Sequence, residues 1–252
     1  MARFRVLVPV DVSRDPEPSA RLFQFLEAFE PVVLGYYPIP EQTSSEQARA
    51  EFEEEARERI TAVAAPFDAI GMEEDPLLVF THDRRETIDR VAEGYACDAV
   101  VSLGAIERLE RVLVPIRGGA NLDRIVAVVD ALVGEVTVGV TLLHVAPDES
   151  RRDESELVLR GARERLVERG LSSQLFALDV RVADRPIPAI AEVAATHDAV
   201  VIGETEPSLR ERILGDRPER LLKAVSCPVL VVRKDHADSD AESTSDSASD
   251  TS

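Results

Sequence analysis

The run Val6-Leu7-Val8-Pro9-Val10 returns as Val112-Leu113-Val114-Pro115-Ile116, and Asp98-Ala99-Val100-Val101 returns unchanged as Asp198-Ala199-Val200-Val201. Two markers recurring in the same order, each about a hundred residues on, are hard to produce by chance and imply a duplicated, domain-sized unit. A chain of 252 residues has room for two such units. Each core must be aliphatic, because aromatics make up only 4% of the sequence and Trp is absent, while 44% is apolar.

The same order of elements is readable between the markers of each copy. In the first, Phe4–Val10 is a buried strand, apolar nearly throughout and rich in valine. Ser19–Phe29 follows as a helix with Leu22, Phe23, Leu26 and Phe29 on one face. Then come a strand within Pro31–Ile39, a charged helix over Ser45–Ala64, a strand at Leu77–Phe80, a short helix at Glu86–Tyr95 and a strand at Ala99–Leu103. The second copy repeats the pattern: strand Val112–Ile116, a helix from about Asn121, strand Val136–Val145, helix Ser155–Glu168, strand Phe176–Val182, helix Ile187–Ala195 and strand Ala199–Ile202. It then continues. Asp216 and Glu219 have the spacing of a capping box ahead of a helix through Leu221, Leu222 and Val225. A fifth strand, Pro228–Val232, closes the unit.

Apolar strands that alternate with amphipathic helices predict α/β architecture: two Rossmann-like, doubly wound parallel-sheet units in tandem. The first lacks its last helix and strand, since only Ala105–Arg111 separates its fourth strand from the next copy. The expected divisions are a shortened domain at 1–109, a complete one at 110–234 and an acidic tail at 235–252. The tail has no apolar face and is expected to be disordered.

The formal net charge is −19; the tail holds six acidic residues and no basic ones, so −13 belongs to residues 1–234. Such a field repels nucleic acid and anionic membrane surfaces. Of the 29 basic residues only Lys223 and Lys234 are lysine. This acidic, arginine-using balance resembles that of extremely halophilic archaea, whose cytoplasmic salt screens self-repulsion. No segment approaches the ~18–20 uninterrupted apolar residues of a membrane span. The opening residues lack the apolar region and cleavage site of a signal peptide, so no membrane insertion and a cytoplasmic location are expected.

No chemistry-bearing motif stands out. A nucleophile elbow, a complete P-loop, and the His-Glu-x-x-His and Cys-x-x-Cys metal spacings are all missing. His82, His144, His197 and His236 are scattered, and the positions of His144 and His197 suit packing or capping. Cys97 and Cys227 read as small buried hydrophobes, with a redox pair left open. Gly118-Gly119 reads as a tight turn with Asn121 as N-cap of the following helix. The cluster Glu51, Glu53, Glu54 and Glu55 reads as the solvated face of a helix.

Taken with the Val-Leu-Val-Pro openings, Asp-Ala-Val-Val-Ile-Gly at 198–203 and Ser-Cys-Pro-Val-Leu-Val-Val-Arg at 226–233, the chain resembles a tandem universal stress protein (UspA-like) of haloarchaeal type. In members that bind ATP, the resemblance implies an Asp after the first strand that contacts the nucleoside. It also implies a loop after the fourth strand, Gly-x-x-Gly, nine residues, Gly-Ser/Thr, whose backbone cradles phosphates. Asp11 matches the first feature, and Gly104 ends the fourth strand of the first copy, but the rest of that copy's loop is missing. In the second copy Arg117 replaces the Asp; Gly203 and Gly215 match the first and third glycines, whereas Glu206 and Asp216 replace the second glycine and the Ser/Thr. Two carboxylates beside a polyphosphate are each unfavourable by roughly 1 kcal/mol in water and more at lower dielectric.

The function implied is a non-catalytic stress-response or regulatory protein, not an enzyme, with a degenerate nucleotide site and no bound cofactor. It is expected to act by homo-oligomerisation or partner binding through the edge of strand 228–232. Two alternatives accompany it, a sensor of ATP or another adenine nucleotide and a regulatory partner of a membrane transporter.

Overall fold

The computed structural model describes residues 3–16, 18–104, 106–117, 121–204 and 217–234. The first half consists of β1 (Arg5–Asp11), α1 (Ala20–Leu26), β2 (Glu30–Pro38), α2 (Ser45–Asp68), β3 (Leu77–Thr81), α3 (Arg84–Gly94) and β4 (Ala99–Ser102). The second consists of β5 (Arg111–Pro115), α4 (Leu122–Glu135), β6 (Gly139–Ala146), α5 (Arg152–Glu168), β7 (Phe176–Val182), α6 (Pro186–Ala194), β8 (Ala199–Gly203), α7 (Arg217–Ala224) and β9 (Val229–Val232).

Both halves join one nine-stranded sheet of order β3-β2-β1-β4-β9-β8-β5-β6-β7. Every neighbouring pair is parallel except one: β4 and β9 run antiparallel, with Ala99 opposite Val232 and Ser102 opposite Val229. The two halves therefore point their strands in opposite directions. Winding explains the layers. Right-handed crossovers that step outward put α1 and α2, and likewise α4 and α5, on one face, where they share a continuous core. The crossovers that step back put α3 on the other face over Leu7, Val32 and Leu34, and α6 with α7 over Leu113, Val200 and Val229.

The edge expected at Pro228–Val232 is not free. β9 is an interior strand, paired with β8 on one side and β4 on the other. The shortened first half supplies the reason: with no fifth strand of its own, β4 has an open edge, and the fifth strand of the second half fills it. The arrangement also explains the short connection between the halves. Ser102 lies at the end of the sheet where β9, β8 and β5 begin, so a short link reaches from β4 to β5 along that end, where Ile106 and Leu109 are buried.

Some element bounds differ from the sequence reading. α2 runs past Pro66 to Asp68, because buried Phe67 packs edge-on against Phe23 with ring centroids 4.7 Å apart. α3 begins at Arg84, where Asp83 accepts the backbone N–H groups of Arg85 and Glu86. The strand expected from Val136 starts at Gly139, since Val136 ends α4. The expected tail, 235–252, lies outside the described residues.

The repeated Asp has a shared task. Asp98 accepts the N–H of Arg5 at 2.7 Å and returns its own N–H to the Arg5 carbonyl, clamping the start of β1 to β4. Asp198 accepts the N–H groups of Glu110 and Arg111, both at 2.9 Å, and returns its N–H to Arg111 at the start of β5. Asp98 also pairs with Arg124 of α4, so it ties the two halves together. Charge-assisted bonds are each worth about 1.5–3 kcal/mol. Asp98→Ala should therefore lower stability by about 3 kcal/mol and Asp198→Ala by less, read as shifts in denaturant midpoint.

Cys97 and Cys227 sit at opposite ends of the β4–β9 ladder. Gly104 packs on Cys227, and seven residues of extended chain separate it from Cys97, about 23 Å. A disulfide within the chain is excluded by that distance. Burial raises both thiols, Cys97 to about 11. At pH 8 Cys97 should react with a thiol reagent only on unfolding, whereas half-buried Cys227 should react slowly in the native protein.

Candidate functional site

In each half the winding reverses between two strands, β1 and β4 in the first and β5 and β8 in the second, leaving a crevice at their carboxyl ends. Because the halves are antiparallel, the two crevices open at opposite ends of the sheet. Asp11 lies at one and Arg117 with Gly203 at the other, so the structure does not bring these expected site residues together.

At the first crevice the Asp11 carboxylate is turned back on its own chain. It accepts the Ser13 N–H at 3.1 Å and the Ser13 hydroxyl at 2.6 Å, and Arg14 lies 3.6 Å away. Beside it on β2, Tyr36 is buried, with the Arg84 guanidinium 5.2 Å above its ring centre. Burial raises the Tyr36 phenol; Arg84 opposes the shift and Asp11 adds to it.

Gly104, expected from the resemblance as the first glycine of a phosphate loop, packs against the backbone that leads into β9. A Cβ on it would lie 2.5 Å from the Cys227 carbonyl carbon, 2.6 Å from the Ser226 oxygen and 2.7 Å from the Pro228 nitrogen. The backbone entering β9 thus presses on the chain just past the end of β4.

The second crevice is built differently. Buried Ile116 ends the run from β5, and Arg117 beyond it is exposed. Gly203 packs against the first turn of α4: a Cβ there would lie 2.8 Å from Ile125 Cδ1 and 3.4 Å from Asn121 Nδ2. Asn121 does sit at the N-cap position but makes no cap bond. With a left-handed backbone (φ 60°), it directs its amide onto the Val232 carbonyl at 3.2 Å. The same carbonyl accepts the Glu204 N–H at 2.7 Å, and Glu204 Oε2 accepts the Lys234 N–H at 3.2 Å. The rim is thus knotted to the end of β9. Sequence reasoning missed Asn121 and Asp98 in these roles because their acceptors and donors lie more than ninety residues away. Glu206, Gly215 and Asp216, with the Gly118-Gly119 turn, lie outside the described residues.

Other candidates resolve into structure. His197 Nδ1 donates to the Val193 carbonyl at 2.8 Å, leaving Nε2 to accept from the Thr141 hydroxyl at 2.8 Å. His144 Nδ1 is buried without a partner among the described residues. A depression of about 500 Å³ lies between Asp15, Pro16 and Pro18 on one side and α2 on the other, lined by Phe23, Arg59, Val63 and Pro66 among others, and Arg59 is already engaged with the Val12 carbonyl and Glu55. Among the described residues no group of His, Cys, Asp and Glu is arranged to hold a metal ion, and no helix is long and apolar enough to cross a membrane.

A doubly wound, mostly parallel α/β sheet with strand-end crevices defines a Rossmann-like class of fold. Residues 108–233 match the family model described as the universal stress protein family. The chain belongs to that family. Among solved structures, a universal stress protein from Archaeoglobus fulgidus DSM 4304 is 17% identical, with 92% of this chain and 97% of that one covered and a TM-score of 0.64. A putative universal stress protein from Pseudomonas aeruginosa UCBPP-PA14 is 13% identical over 97% and 98%, with a TM-score of 0.59. Both likenesses extend the fold over the first half as well. No curated protein matches the sequence.

The two crevice glycines make a direct comparison. The neighbours of Gly104 are backbone atoms that cannot yield, so Gly104→Ala should cost about 3 kcal/mol or more; Gly203→Ala, which meets mainly the tip of Ile125, should cost about 1 kcal/mol. Urea unfolding of the two variants checks the order.

Proposed function

We propose that the chain is a non-catalytic universal stress protein of the tandem kind, with a stress-response or regulatory role exercised by association with a second copy or another protein. The single observation behind this reading is the close contact of Gly104 with the 226–228 backbone, at the point after β4 where a phosphate loop would begin. The turn of Asp11 onto Ser13 agrees with it, because the carboxylate is committed before any nucleoside arrives. Neither crevice presents, among the described residues, a nucleophile with a base and an orienting partner.

One observation favours a second reading. Arg117 is exposed at the mouth of the second crevice, placed to meet an anion, which suits a sensor of adenine nucleotides in that half alone.

A thermal-shift titration in molar KCl with Mg²⁺ and ATP, ADP, AMP or cyclic nucleotides separates the two. A site filled at a hundred times its Kd adds ~2.7 kcal/mol, or about 5–10 °C for a chain of this size. The proposed reading expects no such shift with any nucleotide. A shift of that size, lost in Arg117→Ala, replaces it with the sensor reading.

A further inference from the structure

With β9 enclosed, the outer edges of the sheet are β3 and β7. They differ in what they specify. β3 is Leu-Leu-Val-Phe-Thr, uncharged and five residues long, so neighbouring pairing registers are nearly equivalent. β7, Phe-Ala-Leu-Asp-Val-Arg-Val, is two-sided. Leu178 and Val180 pack half-buried against the main core on the α5 face, with Val182 in phase with them. Ala177, Asp179 and Arg181 project from the opposite face; Arg181 Nε donates to Asp179 Oδ2 of its own strand at 3.0 Å, and with 28% and 51% of their side chains exposed Asp179 and Arg181 keep further hydrogen-bonding capacity toward the open edge.

We infer that β7 is a self-complementary edge through which two copies of this chain pair antiparallel about Val180. A two-fold axis at Val180 sets Asp179 of one copy opposite Arg181 of the other, twice. On the other face it sets Leu178 opposite Val182 and Val180 opposite its own equivalent. The adjacent same-face registers fail. Centring on Asp179 opposes two carboxylates, and centring on Arg181 opposes two guanidinium groups. Direct cross-strand neighbours of like charge are destabilising and those of opposite charge stabilising, so charge selects the register and the apolar ladder adds contact.

The helix layer agrees. Arg165 of α5 and Arg169, the residue that caps its C-terminus, reach Asp123 and Asp130 of α4, so that flank of α5 faces inward along the layer. Val167 lies half a turn from both, on the flank toward the β7 edge, and it is 40% exposed. Together with Leu157 it is one of two large apolar side chains left exposed among the described residues. A second copy joined at β7 brings another α5 alongside it.

This inference names the partner in the reading of the chain as a protein that acts by association, but its test does not involve nucleotides. Sedimentation of the full chain across about 1–100 µM should show a dimer. Arg181→Asp makes the strand wholly acidic and Asp179→Arg makes it wholly basic. Each alone should weaken dimerisation about tenfold or more. Mixing the two variants should restore a mixed dimer, because every cross-strand charge pair is again opposite. The double variant Asp179→Arg/Arg181→Asp should dimerise with itself. Since only folded chains recombine, recovery on mixing separates lost association from lost fold. A monomeric wild-type chain, single variants that still dimerise, or a mixture that stays monomeric would each overturn the inference.

Discussion

Four residue pairs, Ala99–Val232 to Ser102–Val229, hold the two halves in one sheet. Without that ladder β4 and β9 would each present a row of unpaired backbone groups, and two separate edges would need covering. With it, the two halves share one sheet and, on one face, a single apolar core that reaches from α2 to α5. The Asp98–Arg124 pair and the Asn121–Val232 bond cross the same junction, so the joint is closed by side chains as well as by the ladder.

The joint also separates the two crevices chemically. Antiparallel pairing sends them to opposite ends of the sheet, and the turn that leads into β9 lies across the end of β4. Gly104 at that end admits the close approach of the Cys227 and Pro228 backbone, which a side chain would block. In the second half the rim is held through main-chain bonds at Val232 and Lys234, which leaves Arg117 as the exposed charge of the described crevice.

Much of this was legible in the sequence because it is local. Valine-rich runs, helix faces such as Leu122, Ile125, Val126 and Val129, and the repeated Asp-Ala-Val-Val each carry their meaning within a few residues. The missing fifth strand of the first half was readable from chain length alone. Where β9 would pair was not, because an apolar strand of the pattern Val-Leu-Val-Val fits either an edge or an interior position, and only the open side of β4 decides it. Asn121 illustrates the same limit. Its type suits a helix cap, and a carbonyl more than a hundred residues away takes its amide instead. Acidity was plain from composition, but its local handling is structural. Arginines meet glutamates one turn away along the helices, as in Arg57–Glu53, Arg59–Glu55 and Arg160–Glu156, exposed pairs that each add little and together keep the charge dispersed.

The position of β9 has a consequence in time. During synthesis β4 leaves the ribosome about 130 residues before its partner, at a chain elongation rate of about 5–20 residues per second. For several seconds or more the nascent first half carries an open edge that only residues 229–232 can close. The sheet is continuous only once β9 has been made, and its pairing with β4 spans about 130 residues, a contact of high sequence separation.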